Sequence, residues 1–143
     1  MKSTIATSLA ILAVAAFAGC SSMPSWMPGS GAMKVSLAGT EEVPPVSTSA
    51  KGSGTFRLAK DGTITGSVTT EGVQGTMAHI HRGAKGQNGP VIVPLTKNGD
   101  TYSVPDGKKL TDDQVSDLKA GNLYVNVHSA AHKGGEIRAQ LQP

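Results

Sequence analysis

From residue 33 to the C-terminus, apolar positions alternate with polar ones in short runs, and Gly, Pro, Asn and Asp punctuate the gaps between them. A period of two marks a strand with one buried face, and turn residues at regular spacing argue for an antiparallel sandwich or barrel. The pattern predicts strands at 34–37, 54–59, 63–69, 77–81, 91–95, 101–104, 123–128 and 136–141. Lys60-Asp61-Gly62 lies between two alternating runs, which is a hairpin signal. Pro44-Pro45 cannot donate to a ladder and should mark a crossover or an edge. One stretch breaks the period. Thr111-Asp112-Asp113-Gln114 has capping-box spacing, flanked by Leu110 and Val115 as a hydrophobic staple, with Lys119 and Gly121 as stop signals. The expected fold is therefore all-β, a Greek-key-like antiparallel β-sandwich with one short helix inserted at 112–120.

The first residues follow different rules. Lys2 precedes an apolar stretch over 5–17 that is too short to span a bilayer, and Phe17-Ala18-Gly19-Cys20 closes it. The segment 1–19 reads as a lipoprotein signal peptide, with Cys20, the only cysteine, as the lipidation site. The alternative is an ordinary cleavage site that leaves a free thiol, an unusual feature in an oxidising compartment. Residues 20–32, rich in Pro, Gly and Ser, read as a flexible tether, and Trp26 and its neighbouring methionines can lie on a membrane surface. Ser21, where Asp is absent, points to the outer membrane facing the periplasm in a Gram-negative host. The domain itself is 33–143.

Composition narrows the partners. Thirteen basic and ten acidic residues give a net charge of +3, or +2 once Lys2 leaves with the leader, twelve basic against ten acidic. No Lys/Arg stripe is present, so the reading excludes nucleic acid. Beyond the leader the aromatics are Trp26, Phe56, Tyr102 and Tyr124, and the core must be built from Val, Leu, Ile and Ala.

All four histidines fall into two patterns, His79-Ile80-His81 and His128-x-x-x-His132. On a strand, residues two apart share a face with their Cα atoms about 6.8 Å apart, so His79 and His81 project together and Ala78 and Ile80 face the core. In 123–128, Leu123, Val125 and Val127 form the buried row, and Tyr124, Asn126 and His128 form the outer one. If the two strands are neighbours, roughly 4.8 Å apart, three imidazoles reach one ion. His132 in the following turn is the expected fourth ligand. Glu136 is a secondary candidate on the last strand, as a substitute ligand or a support. Met77 shares the face of His79 and His81. Imidazole suits copper, zinc, nickel and iron, and copper binds tightest in the usual order, with the thioether tilting the choice further. The plain alternative is that these are outward polar residues bonded to water, and that Met77 only packs.

Two further segments carry less. Residues 83–90 are glycine-rich but lead into no helix and lack a Gly-Lys-Ser/Thr ending, so they read as a long turn in which Asn88-Gly89 supplies positive φ and Pro90 starts the next strand. Glu41-Glu42 reads as a solvated turn. No nucleophile constellation can be argued, and the expectation is that the chain is not an enzyme.

Six segments carry a family resemblance. His79-Ile80-His81-Arg82-Gly83 with Gly86-Gln87-Asn88-Gly89-Pro90-Val91, then Tyr124-Val125-Asn126-Val127-His128-Ser129 and Gly135-Glu136-Ile137-Arg138, resemble the CHRD domain, named from chordin and also found in bacterial exported proteins. Leu37-Ala38-Gly39 and Glu42-Val43-Pro44-Pro45-Val46 are similar to that family's opening motif. The resemblance covers nearly everything from Met33 onward. It implies an all-β fold, an extracytoplasmic location and, in chordin, a module of a growth-factor-binding protein; it implies no established enzymatic activity. The chain departs from the family pattern at His132, where Asn or Pro is common, and at Ala139, where Gly is frequent. A weaker similarity, His-x-His on a sandwich strand, is to Cu/Zn superoxide dismutase, but the His and Asp cluster for a bridged zinc and the cysteine pair are lacking.

Together these features lead to the expectation of a lipid-anchored envelope protein that binds a transition metal, copper first, through His79, His81, His128 and His132, to buffer, sequester or deliver it. Two rivals accompany it. In one, the outer face carrying Tyr124, Asn126, His128 and Arg138 docks a protein or glycan, or a second copy of the chain, without metal. In the other, an open copper position supports redox chemistry.

Overall fold

The computed structural model describes residues 31–143; the leader, Cys20 and the tether as far as Ser30 lie outside them, and Ala32, expected in the tether, is the first residue of the opening strand. Strands β1 (Ala32–Ala38), β2 (Lys51–Leu58), β3 (Ile64–Glu71), β4 (Gly75–Arg82), β5 (Val91–Pro94), β6 (Thr96–Asn98), β7 (Thr101–Ser103), β8 (Leu123–Ser129) and β9 (Ile137–Leu141) form one antiparallel sheet, and α1 (Asp112–Lys119) interrupts them. The spatial order is β5-β4-β8-β9-β1-β2-β3-β7-β6. The two edges, β5 and β6, are separated in sequence by Leu95 alone, whose N–H donates to Ala78 O on β4 at 2.9 Å. The sheet thus curls almost closed, a barrel-like form of the expected sandwich.

The interior is the row that the alternation selects. Val35 and Leu37 of β1, Phe56, Ile64, Val68, Ala78, Ile80, Val93, Leu123, Val125, Val127, Ile137 and Leu141 are buried in one cluster. Leu118 of α1 joins it, fully buried. The helix begins as its spacing predicts: Gln114 N–H donates to Thr111 Oγ1 at 3.3 Å, and Thr111 N–H to Gln114 Oε1 at 3.1 Å. The hairpin at Lys60-Asp61-Gly62 joins β2 to β3, with Gly62 at φ 83°, a conformation that favours glycine. β6 has no counterpart in the sequence reading, because Thr96, Lys97 and Asn98 are all exposed and carry no apolar alternation.

Three expectations need correction. Pro44-Pro45 marks neither a crossover nor an edge, since its loop joins β1 to β2, which pair along their full length. Positive φ in the 83–90 turn is supplied by Gly86 at φ 80°, not by Asn88-Gly89; Gly89 is required because a Cβ there would collide with the Arg82 carbonyl. Glu42 is not solvated but only 4 % exposed, because its loop folds over the outer face of β8 and β9. Glu41 alone keeps a surface role, paired with Lys85 at 3.2 Å.

Candidate metal centre

β4 and β8 are direct neighbours, in a register that sets Met77 opposite His128, His79 opposite Asn126 and His81 opposite Tyr124. Three imidazoles therefore converge. The ring centroids are 4.9 Å apart for His79 and His128, 5.5 Å for His79 and His81, and 6.0 Å for His81 and His128. One ligand nitrogen from each lies within 4.8 Å of the others. Nδ1 of His79 and Nε2 of His128 are 3.1 Å apart, close to the roughly 3.3 Å that two nitrogens on one tetrahedral ion would show at ordinary metal–nitrogen lengths.

The loops fix which atoms face inward. His81 Nδ1 lies 2.9 Å from Gly89 O, and His128 Nδ1 lies 2.8 Å from Lys133 O. A carbonyl only accepts, so both Nδ1 atoms carry the proton and both Nε2 atoms present a lone pair. Hydrogen bonds of this kind orient metal-ligating histidines and raise their basicity. Nε2 of His81 is buried, and no donor among the described residues reaches it.

Behind the histidines lies a second, polar core. The Arg138 guanidinium sits 3.4 Å above the Tyr124 ring, and the other face of that ring stacks on His81 at 4.8 Å and 5°. Arg138 is 1 % exposed and donates to Ala84 O, Gln87 O and Asn88 Oδ1 at 3.2, 2.8 and 3.3 Å. Gln140 Nε2 donates to Gly83 O at 2.8 Å. The outward row of β9 thus holds the 83–90 loop in place. That loop presents Gly89, whose carbonyl accepts from His81 and whose N–H donates to Tyr124 Oη at 3.1 Å.

Burial also tunes charge. His79 and His81 are pushed below the ordinary 6.5, first by burial; charge on His128 adds to this for both, and charge on Arg138 for His81, while the Gly89 bond opposes it at His81. Burial raises the Glu42 carboxyl from 4.5 to about 7, with Arg138 and Asn126 holding it back only in part.

The other predicted site residues fall elsewhere. His132 is not in the converging group. It lines a cavity of about 470 Å³ with Glu42, Val43, Pro44, Asn88 and Gly135, and its backbone carbonyl accepts from Ser129 and Gly135. Met77 stands across from His128, half-exposed. Glu136 is buried and its Oε1 accepts from Thr48 Oγ1 at 2.8 Å, anchoring the loop before β2. The docking face of the metal-free alternative is covered, because Tyr124, Asn126 and Arg138 are each at most 2 % exposed. Only the rival reading used Tyr124 and Arg138, as docking residues, and neither reading placed them in support of His81 and the 83–90 loop.

Fold and cluster together define a curled antiparallel β-sandwich with a three-histidine group, able to hold a metal ion, on the outer face of β4 and β8. Residues 33–141 match the CHRD domain, and the chain belongs to that family. No curated protein and no solved structure matches it.

Proposed function

We propose that this CHRD domain protein is an exported, lipid-anchored envelope protein that binds a transition metal ion, copper first, and buffers, sequesters or passes it on rather than catalysing a reaction. The observation that carries the reading is the pair of Nδ1–H bonds to Gly89 O and Lys133 O, which leave Nε2 of His81 and His128 as lone-pair donors, in a group where His128 Nε2 is 3.1 Å from His79 Nδ1 and one ligand nitrogen of each ring lies within 4.8 Å of the others. Purely solvated histidines would have no need of backbone acceptors that fix their tautomers. Three imidazoles favour copper in the usual affinity order, with zinc and nickel next. Met77, half-exposed beside His128, offers a thioether at the mouth of the site. The apolar leader that ends at Cys20 and the Pro, Gly and Ser residues after it support a membrane anchor, in this reading on the outer membrane facing the periplasm.

Calorimetric titration and native mass spectrometry with Cu(II), Cu(I) and Zn(II), on the protein and on its His79→Ala and His128→Ala variants, test the proposal. One ion per chain, lost in both variants while their unfolding curves stay cooperative, is the expected result. Equal binding by all three proteins would overturn it.

A further inference from the structure

Three buried polar atoms with no partner among the described residues belong to one tract: Oε1 of Glu42, Oδ1 of Asn126 and Nε2 of His81. Asn126 lies directly opposite His79 and between Tyr124 and His128 on the outer row of β8. It therefore fills the fourth corner of a quadrilateral whose other corners are His79, His81 and His128.

We infer that the side-chain oxygen of Asn126 is the fourth donor of this site, which makes it a site for a divalent ion. The inference rests on the metal-binding reading above. The amide is oriented by its surroundings: its Nδ2 donates to Gly134 O at 3.4 Å, and on the same side stands the Glu42 carboxyl, which the missing side chain of Gly135 admits. Turning the amide over would set its oxygen against the Gly134 carbonyl, two acceptors with no proton between them. Oδ1 is left toward His81, beside which the Asn126 side chain stands.

His81 Nε2 is itself an acceptor, because its Nδ1 proton is committed to Gly89 O. Two buried acceptors with no donor between them are a costly arrangement, and a cation is what both accept. A proton would satisfy only these two atoms. A metal ion draws in the nitrogens of His79 and His128 as well.

The donor set then decides the ion. An amide oxygen is a hard ligand and three imidazoles are borderline, a combination suited to Cu(II), Ni(II) or Zn(II) and poorly suited to Cu(I), which prefers thiolate and thioether. Within the copper reading, the resident state is Cu(II).

The test uses the protein, its Asn126→Leu variant and the His128→Ala variant, titrated with Zn(II), Co(II) and Cu(I), together with NMR of the Asn126 side-chain amide in the Co(II)-loaded protein. Asn126→Leu should bind Zn(II) and Co(II) at least tenfold more weakly, as loss of a directing group around a metal does, and Cu(I) within twofold of the parent. In the parent protein the Asn126 amide protons should show a through-bond contact shift from Co(II). The parent failing to bind any of the three ions would overturn the function proposed above and this inference with it. Binding that His128→Ala abolishes but Asn126→Leu leaves within twofold, with only through-space shifts at Asn126, would overturn the inference and leave the three-histidine site standing. Should Asn126→Leu fail to fold, the contact shift in the parent decides alone.

Discussion

Replacing Glu42 with Gln should make the protein more stable at pH 8 and flatten part of its pH profile. Glu42 is 4 % exposed, and burial carries its carboxyl from 4.5 to about 7. A raised folded-state value means that the fold favours the protonated acid. Its contribution is fully present below pH 4.5, declines as pH rises, and is lost through about pH 7. The gap of about 2.5 units, at about 1.36 kcal/mol per unit, sets an upper bound of ~3 kcal/mol on the stability lost. Gln keeps the size and stays neutral throughout, so the variant does not incur this loss. Urea unfolding from pH 4 to 8.5, in the presence of a chelator, measures it. His79 and His81 act in the opposite sense, since values held below 6.5 favour the neutral ring and give stability that is lost as pH falls. Both proteins carry them, so the difference between variant and parent isolates Glu42. A difference that does not change with pH, or a parent more stable than the variant at pH 8, would refute the reasoning.

The same depressed histidines set how metal binding responds to acid. His79 and His81 are held below the ordinary 6.5, so acid should take these two ligands from Zn(II) only below that pH; imidazole proton shifts showing either ring half-protonated at 6.5 or above in the metal-free protein would contradict this. Arg138→Met should destabilise the domain by roughly 2–6 kcal/mol, because the Ala84 and Gln87 carbonyls lose their donor at about 1–3 kcal/mol each. Hydrogen exchange should speed up across 83–90 and leave the β2–β3 hairpin protected, and unchanged protection of that loop would refute the anchoring role of Arg138.

The frame was legible where burial imposes strict alternation. In β8, Leu123, Val125 and Val127 face in while Tyr124, Asn126 and His128 face out, as a period of two requires, and the three converging histidines followed from that rule and the pairing of β4 with β8. What was not legible is the cover. A loop that orients a histidine does so with a backbone carbonyl, as Gly89 and Lys133 do, and every residue type carries one. Glu42 read as solvent-facing because acids usually are; only the fold shows Gly135 leaving room for it. Arg138 did carry a signal, since a large cation stood between Ile137 and Ala139 on a strand whose apolar row was intact. Its own place on the covered face depended on loops that no periodicity describes.

The cover also ties the site to the stability of the fold. Glu136 holds the loop before β2 through Thr48, and Arg138 and Gln140 hold 83–90. His81 is oriented by Gly89 in the second of these loops, and His128 by Lys133 in the turn that leads into β9. The ligand lone pairs are therefore aimed only while the loops are closed. An ion that binds the closed arrangement and not the open one must, by linkage, stabilise the closed loops in proportion to its own occupancy. If the site holds an ion, Arg138, which holds the 83–90 loop, then acts on its affinity without touching it.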